Sequence, residues 1–152
     1  MRRAAILAIG LLLASTTGAQ AASVPKVSGD YTYAYAGGTS SVTLDALATD
    51  PGSGTFSWAR DTGQWASGHV TCVVINDQEA WIIGVVDETN TGPLPAYWMA
   101  RVHDGGLPGG TGDAAVSFLG PGTPPPGCTF PYQWNLTAKW MVPIASGNIR
   151  IH

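Results

Sequence analysis

The sequence has little charge. Asp, Glu, Lys and Arg make up only 11% of its 152 residues, and seven bases stand against ten acids, for a formal net charge of −3. Beyond Arg2 and Arg3 the bases are scattered: Lys26, Arg60, Arg101, Lys139 and Arg150. Nucleic acids and anionic membrane surfaces both attract clustered bases that neutralise several phosphates. The composition therefore argues against nucleic acid and membrane surfaces as partners.

The sequence also lacks the patterns of helices. No window repeats apolar residues with the period of an amphipathic helix, and past the N-terminus no apolar run is long enough to cross a bilayer. Short alternating segments divided by turn residues predict strands at 31–35, 41–47, 55–59, 69–75, 80–86, 96–103, 114–119 and 148–152. We predict an all-β fold, a single antiparallel meander that closes into a small β-barrel; a β-sandwich is the alternative, because both architectures protect strand edges.

The N-terminus has the pattern of a secretory signal peptide. Arg2 and Arg3 form a positive region, residues 4–14 an apolar region, and Ala19-Gln20-Ala21 a small-x-small cleavage site. No later segment resembles a lipid or membrane anchor. We therefore expect residues 1–21 to be removed and residues 22–152 to form a single secreted, extracellular all-β domain, with a net charge of −5 once the two arginines are lost.

Cysteine is nearly absent, with only Cys72 and Cys128 in the chain. In an exported protein the default state of two cysteines is a disulfide. A catalytic or redox thiol needs a neighbouring His or a CxxC motif, and neither cysteine has one. We predict a structural bond between Cys72 and Cys128.

Motifs of catalysis and metal binding are missing as well. HExxH and GxSxG do not occur, and the three histidines lie far apart at strand ends. Asp104 and Asp113 bracket a Gly-rich loop and offer oxygen ligands for Ca²⁺, although such residues also cap turns. We predict no catalytic residue and no cofactor, with calcium at Asp104 and Asp113 as a weak alternative.

Aromatic residues are the main candidates for ligand binding. Tyr31, Tyr33 and Tyr35 share one face of a regular strand, and an exposed stripe of this kind stacks on sugars or forms a partner surface. Trp58 and Trp65 flank a predicted loop and are expected to be partly exposed. The alternative is that these large side chains fill the core of a small domain.

Three blocks of sequence resemble a known family. They are GHVTCVVINDQEA at 68–80, RVHDGGLPG at 101–109 and the ending SGNIRIH at 146–152, with both cysteines in register. Together they resemble small secreted bacterial proteins, common in actinobacteria, that include post-COAP-1-like sequences. Gly105 and Leu107 depart from the Asn and Glu that are usual in the family's turn. The resemblance implies a shared fold and no particular activity.

Three hypotheses about function follow, in order of preference. The first is a secreted, non-catalytic binding or interaction module for an extracellular protein or a carbohydrate, using exposed aromatics. The second is a barrel that carries a small apolar molecule in an interior lined by Trp81, Ile83 and Val85 or by their alternates. The third is a secreted hydrolase, whose pocket would gather His103, Asp104 or Asp87.

Overall fold

A computed structural model describes residues 23–35, 37–128 and 140–152, which form one antiparallel sheet closed into a barrel. Its strands follow one another around the barrel in chain order: β1 Lys26–Tyr35, β2 Gly38–Leu47, β3 Ser53–Arg60, β4 Trp65–Asn76, β5 Glu79–Thr89, β6 Ala96–His103, β7 Ala114–Pro121 and β8 Val142–Ile151. A short 3₁₀ turn lies at Pro108–Gly110, in the connection between β6 and β7. The predicted all-β barrel is confirmed, and the sandwich is not formed. The predicted signal peptide lies outside the described residues.

The strands are longer than the alternating sequence pattern indicated. Each predicted strand overlaps one observed strand, but the ladders continue into segments rich in Gly, Ser and Thr. In β4, for example, Ala66 and Ser67 pair with Thr89 and Glu88 of β5. Small hydroxylated residues carry no apolar signal, yet their backbone groups extend a ladder as well as any others. The sequence therefore predicts the number and order of the strands correctly but makes the strands too short.

The C-terminal strand closes the barrel by returning beside the first strand, as predicted. Residues of β8 pair antiparallel with β1 from Val27↔Ile151 to Tyr31↔Gly147. A Cβ at Gly147 would lie 2.0 Å from the carbonyl oxygen of Asp30, and the φ of Gly147 is +93°. Only glycine fits at this close approach of the two backbones. Between β7 and β8 the ladder holds two residue pairs, Ala114↔Pro143 and Ala115↔Val142.

The barrel interior is filled by alternate side chains from the strands. Its largest members include Tyr31, Tyr33, Phe56, Ile82 and Trp98, each at most 3% exposed. The ring of Phe56 stacks on the Trp98 ring at a centroid distance of 4.5 Å and an interplanar angle of 8°. Stacked aromatics of this kind contribute a large share of the burial energy in a small core.

A β-bulge in β4 turns Cys72 out of the interior. The β4–β5 register shifts between Val70 and Cys72, so that Val70 and Val73 both belong to the interior cluster while Cys72 does not. An extra residue in one strand reverses the alternation of its side chains beyond that point. Cys72 is thereby placed to bond with Cys128, at a Cα–Cα distance of 5.3 Å, and the predicted disulfide is confirmed.

A second, smaller apolar cluster lies on the outer face of the central strands. It consists of Cys72, Ile83 and Met99, against which Trp81 and Tyr97 pack. Strands β4, β5 and β6 are therefore buried on both faces, and this explains why their sequences are apolar at nearly every position. It also means that Trp81 and Ile83 do not line the interior; their alternates, such as Ile82, do.

Candidate functional site

Barrel closure places most of the predicted aromatic stripe in the core. Tyr31 and Tyr33 are each 2% exposed, because the face they share is the inner face of β1. The Tyr33 hydroxyl shares a hydrogen bond of 2.5 Å with Ser117 Oγ. Burial raises the pKa of the Tyr31 phenol, and the neighbouring Tyr33 adds a smaller upward shift. The hypothesis that Tyr31 and Tyr33 bind ligand from an exposed stripe is therefore wrong. Tyr35 is 43% exposed, since it lies where β1 leaves the barrel.

A pocket opens at the end of the barrel where Tyr35 lies. This end, which we call the mouth, includes the turn at 61–64 between β3 and β4 and the loop at 90–95 between β5 and β6, and strand β7 ends there at Pro121. The mouth pocket has a volume of about 350 Å³. Its walls combine aromatic, hydroxyl and apolar side chains with the cation of Arg60, and they include Tyr35, Trp58, Thr91, Ser117 and Leu119. Small-molecule sites typically show this mixture.

Arg60 is held between two aromatic rings in the wall of the mouth pocket. Its guanidinium carbon lies 4.2 Å from the centre of the Tyr35 ring and 5.0 Å from that of Trp58. Nη1 donates to Gln64 Oε1 at 3.2 Å, across the turn that joins β3 to β4. Contacts between guanidinium groups and aromatic faces are attractive and fix the orientation of the group. The side chain is therefore held in place before any ligand arrives.

The electrostatic character of the mouth pocket is positive. No Asp or Glu lines it, and the ion pairs among the described residues join Lys26 to Asp45, His69 to Asp87 and Arg101 to Glu79. Asp61 follows Arg60 in the chain, but its Oδ2 accepts the backbone N–H of Thr39 at 2.8 Å instead. The charge of Arg60 thus lies beside aromatic rings without a carboxylate partner.

The rim of the mouth is fastened by Asn90. Its Oδ1 accepts the backbone N–H of Trp65 at 2.8 Å, and its Nδ2 donates to the carbonyl oxygen of Gly63 at 2.9 Å. The Thr89 hydroxyl donates to the Trp65 carbonyl oxygen at 2.7 Å. These bonds hold the loop at 90–95 against the turn at 61–64 and so maintain the shape of the pocket.

The predicted ligand-binding aromatics thus separate into three groups. Tyr35 and Trp58 meet in the mouth pocket, Tyr31 and Tyr33 belong to the core, and Trp65 is 39% exposed near the rim without lining the pocket. Trp58 is only 5% exposed, less than the loop position suggested, because it faces inward from β3.

Asp104 and Asp113 lie at the opposite end of the barrel, where both bind backbone amides. Asp113 is 1% exposed and accepts N–H groups from Gly105 at 2.8 Å and Ile149 at 2.7 Å. Asp104 accepts those of Gly106 at 2.7 Å and Ile151 at 2.9 Å. The two carboxylates therefore fasten β8 to the loop at 104–113. Among the residues that the structure describes, no group of three or more His, Cys, Asp or Glu is placed to hold a metal ion.

The residues named for a hydrolase are not gathered in one pocket. Asp87 lies towards the mouth end of β5 and forms an exposed pair with His69, at 3.0 Å. His103 lies opposite Glu79 in the β5–β6 ladder, at the end of the sheet far from the mouth, and Asp104 follows His103 in the chain. The length of β5 between Glu79 and Asp87 separates Asp87 from His103 and Asp104, so Asp87 cannot act on one substrate together with them.

Comparisons with models of protein families, with curated proteins and with solved structures each find no match to this chain. The resemblance to post-COAP-1-like proteins stays a prediction. In the described part of the chain, no helix is long and apolar enough to cross a membrane.

Proposed function

We propose that this protein is a secreted, non-catalytic binding module that holds a small extracellular molecule, such as a sugar or an organic acid, in the mouth pocket. One observation carries the proposal: a pocket of about 350 Å³ at the barrel end, in which Tyr35 and Trp58 hold Arg60 in place. The volume lies near the lower end of the range for small-molecule sites, which also combine aromatic walls with a few fixed polar groups.

The shape of the site favours a small molecule over a protein. A stable protein interface covers a broad surface, on the order of 800 Å² per partner, whereas the mouth offers a concave pocket between two short connections. The carrier hypothesis receives less support, because one continuous cluster of side chains, with Phe56 stacked on Trp98, occupies the described interior.

Secretion is part of the proposal and has three supports. The disulfide between Cys72 and Cys128 suits an oxidising compartment. The pattern of residues 1–21 is that of a secretory leader, and the resemblance to secreted bacterial proteins points the same way.

The test is to obstruct the pocket. Gly92 lines the pocket, and a Cβ added there would meet no atom within 4 Å, so Gly92→Trp is the variant chosen to place a large ring at the mouth. Calorimetric titration of the oxidised protein with neutral and acidic monosaccharides and small aromatic compounds is the measurement. We expect at least one compound to bind, and its Kd to rise at least tenfold in Gly92→Trp, which is about 1.4 kcal/mol.

Thr43→Trp is the matched control, since Thr43 is exposed on β2 and does not line the pocket. It is expected to bind like the wild type. Binding that survives Gly92→Trp unchanged, or a panel in which nothing binds, would contradict the proposal.

A further inference from the structure

We propose that the ligand of the mouth pocket carries a carboxylate, which Arg60 binds through its two Nη groups. This inference rests on the proposed function and names the chemical class of its ligand. It is built on three observations, which concern charge, hydrogen-bonding geometry and the remaining walls of the pocket.

The first observation is that the chain supplies no anion for Arg60. All ten acidic residues lie in the described part of the sequence. The three ion pairs there engage Asp45, Asp87 and Glu79 with other bases, and Asp61, the nearest acid in sequence, is bonded to the Thr39 backbone. A cation half-enclosed by aromatic rings and without a counter-charge attracts an anionic ligand more strongly than a solvated surface cation does.

The second observation is the direction of the free N–H groups. Nε of Arg60 is buried and has no hydrogen-bond partner among the described residues, so the Nη end is the part that is left for a ligand. Nη1 gives one N–H to Gln64 Oε1, and each Nη carries two. One N–H on Nη1 and two on Nη2 remain, so each Nη can still donate to one of the two oxygens of a carboxylate.

The single positive charge distinguishes a carboxylate from a phosphate ester. A phosphate monoester carries a charge of about −1.5 to −2 at pH 7 and is usually held by several cations or backbone amides. Of the residues that the structure describes, Arg60 is the one cation that lines the mouth pocket. One guanidinium balances one carboxylate, which makes a singly charged ligand the better match.

The third observation concerns the rest of the ligand. Besides Arg60 and its aromatic neighbours, the pocket is lined by the apolar side chains of Leu119, Phe118 and Pro93, while Thr91 and Ser117 add hydroxyl groups. The geometry therefore suits a small organic acid with one charged end and a compact body that is partly apolar.

Two matched pairs of compounds test the inference. Benzoate and benzamide have nearly the same shape, and so do galacturonate and galactose; only the first member of each pair is charged. By calorimetry, we expect the carboxylate of at least one pair to bind the wild-type protein at least tenfold more tightly than its neutral partner. Arg60→Gln is expected to reduce this ratio to near one.

Arg60→Lys is the second variant, because it keeps the charge but loses the paired N–H geometry. We expect it to retain part of the preference for the carboxylate. Melting temperatures of both variants must show that they are folded. A preference that persists unchanged in Arg60→Gln would overturn the inference, and so would a neutral partner that binds as tightly as its carboxylate or the failure of both carboxylates to bind.

Failure of the inference is distinguishable from failure of the proposed function. If neutral compounds bind the wild type and Gly92→Trp weakens them, the pocket is a binding site but not one for carboxylates. If carboxylates bind with the expected preference but Gly92→Trp leaves their Kd unchanged, the site of binding is elsewhere and both proposals fail.

Discussion

Removal of the disulfide between Cys72 and Cys128 is expected to lower the free energy of unfolding by about 4 kcal/mol. The reason is that the unfolded chain gains conformational entropy when the cross-link between its distant parts is lost. The bond joins residues 56 positions apart. It also fixes Cys128 to Cys72, which belongs to the outer cluster that contains Ile83 and Met99. Since domains of this size have a stability of roughly 5–15 kcal/mol, the loss would be a large share of the total.

The measurement is urea unfolding of the double variant Cys72→Ala/Cys128→Ala beside the oxidised wild type, followed by circular dichroism. The wild type in excess reductant is the control and should unfold close to the double variant. A difference below about 1 kcal/mol between the free energies of unfolding of the oxidised and the reduced wild type would contradict the expectation. It would mean that the unfolded chain already keeps the two cysteines close together, so that the cross-link restricts it little.

The second large effect is expected at Gly84 in the middle of β5. A Cβ there would lie 2.5 Å from Cε1 of Phe56 and 2.8 Å from the carbonyl oxygen of His69. The Phe56 ring has little room to retreat, because it is buried in the core cluster and stacked on the Trp98 ring at a centroid distance of 4.5 Å. Forcing a methyl group into a packed core typically costs 1–3 kcal/mol, and we expect Gly84→Ala to destabilise the barrel by about 3 kcal/mol.

Two further variants make this expectation specific. Gly92→Ala is the control, because the added Cβ meets no atom within 4 Å, and its stability should stay within about 0.5 kcal/mol of the wild type. Phe56→Leu in the Gly84→Ala background should recover part of the loss, since the smaller side chain gives way to the methyl group. Strict additivity of the two single changes would show that Phe56 is not what fills the space at Gly84.

The sequence was sufficient to predict the fold because local and global signals agree. Alternating segments, turn residues and two cysteines led to an antiparallel barrel of eight strands with one disulfide, which the structure has. The near-continuous apolar runs at 69–75 and 80–86 indicated central, buried strands. What they could not show is the bulge between Val70 and Cys72, because the extra residue leaves no mark in composition.

The candidate site was less accessible to sequence reasoning. Tyr31, Tyr33 and Tyr35 share a face by alternation, but which face becomes the interior depends on how the sheet closes, and this is a property of all eight strands together. Arg60 was noted only as one of five scattered bases. Its role depends on Tyr35, two strands away around the barrel, and on the absence of any carboxylate beside it. A useful signal would have been that Trp58 and Arg60, two residues apart on β3, share the face that ends at a turn.

The central claim is that the mouth pocket is the ligand site, and the most direct test is an indole N–H spectrum of the oxidised, ¹⁵N-labelled protein during titration with benzoate. The six tryptophans give separate reporters, assigned by single Trp→Phe variants. We expect the Trp58 signal to shift with saturation, while the signal of Trp81, outside the barrel wall, stays in place. A Trp58 signal that does not move at concentrations where calorimetry detects binding would contradict the account.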